Sequence, residues 1–359
     1  MRLTFCLYAI LSFTFAHPLR AEAPLPYERL PTLTQLWEIP LETYGFVAFT
    51  PKGDKAVYLD RKSITVFQPK TGKKTRQVPH NFNEPYGMSC SDSAVTAWRS
   101  ALGGRRYASS TAKLSGANRS VGLNAADPRF SPDGDFLVCA TEYGPQLFST
   151  DTGDWGKPLA ALELDESISA LFLDDGKKLF AVNAVGDFLI AEVPSGKQLS
   201  SGVLPAWPKS YNQFSLRNDG LRTLAVRSTD NELFIADGKS IHVYDLNVVP
   251  QLNRTVSTSV PVRFVELAAN VPLGIALPPL STIQTSYPRG NNAAGVTFNT
   301  RTGTATGRLP DCCAIPSIAI SPDGDLLLAV IALDQGKKKP TKWSIRCWST
   351  GGSADPPQR

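Results

Sequence analysis

Two copies of one turn motif constrain the fold of this chain more than any other feature. Residues 130–138 read Phe-Ser-Pro-Asp-Gly-Asp-Phe-Leu-Val, and residues 320–328 read Ile-Ser-Pro-Asp-Gly-Asp-Leu-Leu-Leu. In such a turn, proline presets φ, aspartate bonds its own backbone, and glycine takes the left-handed conformation that completes the reversal. Because apolar runs flank both turns, each copy predicts a β-hairpin.

Weaker forms of this hairpin recur along the chain at a nearly constant period. Gly53 and Gly134 are 81 positions apart, Gly134 and Gly176 are 42 apart, and Gly176 and Gly220 are 44 apart. Units of 40–45 residues with four short strands each are typical of a β-propeller. The sequence therefore predicts an all-β fold, a seven-bladed β-propeller of four-stranded antiparallel blades over residues 33–351. A β-sandwich or two unrelated β domains is the alternative.

The repeat is clear in the first, third, fourth and seventh units and degenerate in the others. In the second unit, residues 99–106 are expected to form a loop. In the sixth unit, a long proline-rich loop is expected over 278–292. The fifth unit allows two registers. In one, the first strand and its turn lie at 214–220; in the other, the first turn lies at 228–231 and the first strand precedes it.

The two ends of the repeat region predict how the ring closes. The seventh unit stops after its third strand, at Trp348, whereas a strand candidate at residues 33–39 precedes the first unit without partners of its own. An open ring would expose two unpaired sheet edges. We therefore expect the N-terminal strand to complete the last blade.

The first 23 residues have the pattern of a secretory signal peptide. Arg2 precedes an apolar run over 3–16, and small residues follow near Ala21 and Ala23. An uncleaved membrane anchor is the alternative, but the run is short for a span. Removal of residues 1–23 would leave an extended lead-in over 24–32, the propeller over 33–351 and a disordered tail over 352–359. The predicted protein is exported, periplasmic or extracellular, and not stably inserted in a membrane.

Cysteine, histidine and aspartate usage excludes several kinds of site. Five cysteines outside the leader do not make a disulfide framework, although Cys312 or Cys313 has a possible partner in Cys347. His80 and His242 are the only histidines outside the leader, which argues against a histidine triad or a multi-histidine metal site. The aspartates of the turns are too few per turn for calcium and are interpreted as turn-forming. No catalytic residue, metal or cofactor is predicted.

The order of first strand, Ser-Pro-Asp-Gly-Asp turn, second strand and Asp-Thr-Gly resembles WD-repeat-like and YVTN-like bacterial β-propellers. The Trp-Asp dipeptide of WD repeats is absent. The wiring of that family implies that the loops between second and third strands, and those between blades, share one face of the ring. This face collects basic, aromatic and irregular residues, and the candidate binding residues on it are Arg105, Arg106, Trp207, Tyr287, Arg289, Lys337, Lys338 and Lys339.

Binding residues commonly lie on irregular loops held by a rigid scaffold. The sequence therefore predicts a monomeric, non-enzymatic binding scaffold whose partner is a protein, an anionic polymer or a glycan of the cell envelope or its exterior. The net charge of +5 is small for 359 residues and argues against nucleic acid. The alternative is an enzyme resembling lactonase or quinoprotein propellers, with its site at the central channel.

Overall fold

The structure is a computed structural model, and it describes residues 29–80, 85, 87–101, 106–114, 118–123, 126–141, 143–150, 158–165, 167–208, 223–227, 229–247, 249–277, 295–309, 314–333 and 342–351. These residues form seven antiparallel sheets arranged as a seven-bladed β-propeller, which confirms the predicted fold class. No helix among them is both long and apolar enough to cross a membrane.

Each blade is an up-and-down meander, so consecutive strands pair and the first strand of each blade lies nearest the axis. The N-terminal strand is β1 (Thr34–Leu41). The blades are numbered in chain order. Their strands are, for blade 1, β2 (Phe46–Phe49), β3 (Ala56–Leu59), β4 (Ser63–Phe67) and β5 (Lys74–Pro79); for blade 2, β6 (Gly87–Cys90), β7 (Ala94–Ala101), β8 (Arg106–Lys113) and β9 (Asn118–Leu123); for blade 3, β10 (Ala126–Phe130), β11 (Phe136–Thr141), β12 (Gly144–Ser149) and β13 (Ala160–Ala161); for blade 4, β14 (Ser167–Leu173), β15 (Lys178–Asn183), β16 (Asp187–Glu192) and β17 (Gln198–Val203); for blade 5, β18 (Leu224–Arg227), β19 (Glu232–Asp245) and β20 (Gln251–Val262); for blade 6, β21 (Phe264–Leu267), β22 (Leu273–Leu277), β23 (Val296–Asn299) and β24 (Ala305–Arg308); and for blade 7, β25 (Ala314–Ile320), β26 (Leu326–Leu333) and β27 (Lys342–Ser349), together with β1.

The hydrophobic core is divided among the interfaces between neighbouring blades. Side chains alternate along each strand, so one set packs against the preceding blade and the other against the following blade. Blade 1 shows this division clearly, since Val47 packs with Leu328 of blade 7 while Phe46 packs with Met88 of blade 2. Burial between blades on both sides explains why the strands read as short, almost continuous apolar runs.

Strand β1 closes the ring as predicted. It pairs antiparallel with β27, and Ile39 lies opposite Ile345. The indole of Trp37 extends toward blade 1, where its Nε1 donates to the carbonyl oxygen of Pro69 at 2.7 Å and its ring packs near Phe67. The strand therefore completes blade 7 and also contacts blade 1.

The fifth blade follows the second of the two registers, with its first strand at Leu224–Arg227. Strand β19 is 14 residues long, which would span about 46 Å if straight. The amide of Leu246 nevertheless donates to the carbonyl oxygen of Asn231 at 2.9 Å, so the residues flanking the two ends of β19 meet. The strand therefore doubles back near Gly238, whose φ is +63°, and contributes two of the four antiparallel segments of this blade.

Residues 99–106 were expected to be a loop, but β7 continues through Ala101 and β8 begins at Arg106, because a longer hairpin pairs more backbone groups. Cys347 is a buried free thiol between blades 7 and 1, and burial raises its pKa to about 12. Cys312, Cys313 and the loop over 278–292 lie outside the described residues.

Candidate binding surface

The meander assigns every connection to one of two faces. Connections from first to second and from third to fourth strands emerge on one side, which we call the turn face. Connections from second to third strands, and from one blade to the next, emerge on the other side, which we call the loop face. Each face therefore gathers residues that are far apart in sequence.

The turn face is built from the repeated turns. In blade 3, the Oδ1 of Asp133 accepts bonds from the Ser131 hydroxyl at 2.5 Å and from the Asp135 amide at 3.0 Å, while Gly134 has φ of +83°. The corresponding Asp323 in blade 7 accepts the same bonds from Ser321 and Asp325. These carboxylates are occupied in holding the turns, which confirms their turn-forming role.

Only two of the predicted binding residues fall within the described part of the chain, namely Arg106 and Trp207. Arg106 is the first residue of β8, opposite Ala101 at the loop-face end of blade 2. Trp207 lies on the loop face between blades 4 and 5. Arg105, Tyr287, Arg289, Lys337, Lys338 and Lys339 lie outside the described residues.

Trp207 is held firmly rather than presented as a projecting ring. Its Nε1 donates to the carbonyl oxygen of Ala184 at 3.0 Å, and its ring lies over Gly186, where any Cβ would clash with it. The loop before it is fixed by the hydroxyl of Tyr244, which donates to the carbonyl oxygen of Pro205 at 2.9 Å. Ala206 has φ of +56°, a conformation that side chains disfavour and that these contacts maintain.

Exposed apolar side chains surround this loop. Val185, in the hairpin that Trp207 contacts, is 68% exposed, and Val203, at the end of β17, is 65% exposed. Pro205 and Ala206 are also exposed. These exposed side chains form a small apolar surface, and Trp207 packs beneath it and holds it in place.

A second group of aromatic and cationic side chains lies on the loop face where blades 7 and 1 meet. Tyr44 and Trp343 have ring centroids 5.7 Å apart, and the guanidinium of Arg61 lies 5.7 Å from the centroid of the Tyr44 ring. Lys62 and Lys342 flank these side chains in sequence, are exposed, and make no ion pair with any described residue. We call Tyr44, Arg61, Lys62, Lys342 and Trp343 the closure cluster.

Sequence reasoning missed the closure cluster because Tyr44 and Trp343 meet only when the ring closes. One signal was available. Lys342 and Trp343 directly follow the basic run at 337–339, and Tyr44 directly follows the strand predicted to close the ring. The sequence therefore already assigned both segments to the junction between the last blade and the first.

A cavity of about 380 Å³ lies on the ring axis and is lined by the innermost strands of all seven blades. Its lining includes Phe46, Phe130 and Phe264 together with Arg129. The described residues contain no group of three or more His, Cys, Asp or Glu side chains arranged to hold a metal ion.

The Arg129 charge is matched beside the cavity. Its Nε donates to Oδ1 of Asp127 at 2.8 Å and its Nη2 donates to Oδ2 at 2.9 Å, while the Ser169 hydroxyl donates to the same Oδ2 at 2.8 Å. The two charges offset each other. The bond from Ser169 to Asp127 therefore ties blade 4 to blade 3.

The two described histidines have structural partners. The Nε2 of His80 lies 2.8 Å from the carbonyl oxygen of Asp60, and burial lowers the pKa of His80. His242 lies on β19, and its Nδ1 is 3.3 Å from the Thr255 hydroxyl oxygen.

Comparison with known proteins supports the fold. No protein-family model matches the sequence, and no curated protein matches it either. Among solved structures, the chain resembles the β-propeller domain of Cps50 (Swd1) from Myceliophteria thermophila, with a TM-score of 0.62 and 15% sequence identity. The match covers 88% of this chain and 99% of that domain. At this level of identity the resemblance establishes the β-propeller fold alone.

Proposed function

We propose that this protein is an exported, non-enzymatic interaction scaffold that binds an acidic partner protein through its loop face. The single observation that carries the proposal is the closure cluster, in which two aromatic rings and a guanidinium lie in contact beside two exposed lysines. We further propose that the chain is a degenerate relative of WD-repeat-like and YVTN-like bacterial propellers.

The residue types of the closure cluster favour a protein partner. Trp, Tyr and Arg are the residues most enriched among those that dominate the energetics of protein interfaces. Lys62 and Lys342 add positive charge at its edge, which speeds the approach of an acidic partner and selects against basic ones. Lys337, Lys338 and Lys339 extend the same basic segment in sequence.

The ring supplies the rigidity that such a surface needs. Tyr44 packs edge-on against Phe46 of the blade 1 core, and Trp343 packs against the core shared by blades 7 and 1. Side chains fixed before binding lose less conformational entropy when the partner arrives. An enzyme with its active site in the central channel of the ring is less favoured, because the charge of Arg129 beside the cavity is already paired with Asp127.

A pull-down from an envelope extract tests the assignment of the face. We expect the variant Arg61→Ala/Lys62→Ala/Lys342→Ala to lose its partner, with affinity weakened about tenfold or more. The matched control, Lys70→Ala/Lys73→Ala/Lys74→Ala, removes three positive charges from exposed residues at the turn-face side of blade 1 and should retain it. The interaction should also weaken as salt is raised. If the first variant retained the partner and the second lost it, the partner would bind the turn face and the proposed face would be wrong. Displacement of the partner by an anionic polysaccharide would indicate a glycan ligand.

Export is a separate part of the proposal. The charged start and apolar run of residues 1–16 support it. We expect the mature protein to lack about 21 to 23 residues, as read by N-terminal sequencing of material from the envelope or medium. An intact Met1 on protein recovered from the cytoplasm would contradict export without affecting the binding surface.

A further inference from the structure

The cavity on the ring axis is a recess that enters from the turn face. Residues of the turns between first and second strands line it, and Pro132, Asp175, Thr229 and Asn270 among them are exposed. Ser317, which precedes the turn of blade 7, also lines it, so the recess extends along the axis for on the order of 15 Å. Among the described residues, none of those that connect strands on the loop face contributes to the lining. The recess is therefore separate from the closure cluster.

Aromatic and aliphatic side chains of several blades form the apolar part of the wall. Phe49, Phe130, Phe172 and Phe264 come from blades 1, 3, 4 and 6, and Met88 comes from blade 2. The volume of about 380 Å³ is within the range found for small-molecule sites, whose walls are mainly apolar with a few placed polar groups. This size and this wall favour a ligand with an apolar body.

Two buried serine hydroxyls in the wall each keep a hydrogen to donate. The amide of Val47 in blade 1 donates to Oγ of Ser317 at 3.0 Å, and the amide of Phe130 in blade 3 donates to Oγ of Ser89 at 3.3 Å. Both hydroxyls are acceptors in these bonds, and neither donates to an atom of the described residues. A hydroxyl carries one donor as well as its lone pairs. Since Ser317 is 3% exposed and Ser89 is 7% exposed, these donors favour a ligand that brings an acceptor.

Arg129 adds further N–H groups to the same part of the wall. It directly precedes Phe130, whose amide bonds Ser89, so the guanidinium and this hydroxyl belong to adjacent positions of neighbouring blades. Asp127 accepts from Nε and Nη2 of Arg129, whereas Nη1 donates to no described atom. A guanidinium has five N–H donors, so Arg129 can still donate to a ligand oxygen while it remains paired with Asp127.

We infer that the recess binds an uncharged small molecule with an apolar body and a carbonyl oxygen, such as an aromatic amide, ester or ketone. The carbonyl oxygen accepts from the donors of Ser89, Ser317 and Arg129, and the apolar body lies against the phenyl rings. The carboxylates of Asp175 and Glu266 in the lining disfavour an anion, and the guanidinium disfavours a cation. Burying a charge without a partner costs more than burying a neutral group, which leaves an uncharged ligand as the best fit.

Binding of prodan, an uncharged naphthyl ketone dye, tests the recess. Its emission moves to shorter wavelength when the ketone leaves water for an apolar site, so a titration reports binding directly. We expect saturable binding of a single dye per chain. Ser89→Ala and Ser317→Ala each remove one donor, and each should weaken binding about three- to tenfold.

Ser167→Ala is the matched control for these two variants. Ser167 is also a buried serine of an innermost strand, and its hydroxyl donates to the carbonyl oxygen of Thr141 in the neighbouring blade at 3.1 Å. It does not line the recess. The control therefore loses a bond between blades without losing a donor to the ligand, and its affinity for prodan should equal that of the wild type.

Comparison of ligands tests the chemistry without altering the protein. Dimethylaminonaphthalene lacks the carbonyl group of prodan and should bind the wild type more weakly than prodan does. Ser89→Ala should not weaken its binding further, because the hydrogen bond is already absent. Naphthamide should displace prodan, whereas the naphthoate anion should need a concentration at least about tenfold higher.

Several results would overturn the inference. Absence of saturable prodan binding would leave the recess to solvent only. Unchanged affinity in both Ser89→Ala and Ser317→Ala, equal weakening by Ser167→Ala, or equal displacement by naphthoate and naphthamide would exclude the proposed contacts or the uncharged class. The variant Arg61→Ala/Lys62→Ala/Lys342→Ala should bind prodan as the wild type does, which separates this site from the proposed partner surface. Loss of the dye in that variant would place it on the loop face instead.

Discussion

Single residues tie blades together, and a buried network of charged side chains joins blades 5 and 6. Arg227 is almost fully buried, and its Nη2 lies 2.6 Å from both Glu232 and Asp230 while its Nη1 donates to the Thr300 hydroxyl. Arg254 lies 2.6 Å from the other oxygen of Glu232 and donates to the Thr300 carbonyl oxygen at 2.8 Å. Glu232 thus compensates two guanidinium groups at once.

Replacing Glu232 with glutamine should therefore destabilise the whole ring. The change leaves Arg254 without an ion-pair partner among the described residues and leaves Arg227 with Asp230 alone, and breaking a buried ion pair in this way costs about 3 kcal/mol. Urea denaturation measures this as a lower midpoint with an unchanged slope. The control is Glu192→Gln, at an exposed carboxylate that accepts only a local bond from Ser195, where the change should stay within about 0.5 kcal/mol. Equal midpoints for both variants would contradict the role given to Glu232.

His80 gives stability a pH dependence of known sign. Burial lowers its pKa in the folded state, so the unfolded chain binds a proton first as the pH falls. Stability should decline as the pH drops below about 6.5, the ordinary value for histidine, and the decline should level off below the folded-state pKa. Thermal melts between about pH 7 and pH 5 should show a smaller decline for His80→Gln, whose amide can still donate to Asp60. An identical decline in the wild type and in His80→Gln would show that His80 is not the source of this pH dependence.

At the scale of elements, the repeated turn predicted the fold and the closing strand. Proline, aspartate and glycine act locally, so their meaning can be read without knowing what lies nearby. The register of the fifth blade could not be read in this way, since its turn at 228–231 lacks that signature and β19 doubles back at a single glycine, Gly238.

The closing strand should matter more than its length implies. Deleting residues 32–39 removes six of the eight residues of β1, exposes most of the edge of β27 and takes away Trp37 with its bond to Pro69. We expect a thermal midpoint lowered by many degrees, because the stability of blades 7 and 1 depends on the same strand. Deleting residues 353–359 is the control and should leave the midpoint unchanged. A melt unaffected by the first deletion would show that β1 is dispensable.

At the scale of the whole molecule, ring closure creates surfaces that the sequence does not display. Trp207 was found because prolines on either side mark an irregular loop, yet its ring supports neighbouring side chains instead of projecting. The closure cluster was missed because its contacts join residues nearly 300 positions apart. Local patterns thus locate loops, whereas the juxtaposition of loops follows from the ring.

Site-specific photo-crosslinking in the producing cell tests the proposed binding face most directly. A photoreactive phenylalanine analogue replaces Lys62 or Lys342 on the loop face, or Lys70 or Lys73 on the turn face, all of them exposed. We expect positions 62 and 342 to form an adduct with the same partner protein and positions 70 and 73 to form none. Adducts from the turn-face positions alone would contradict the proposed binding face.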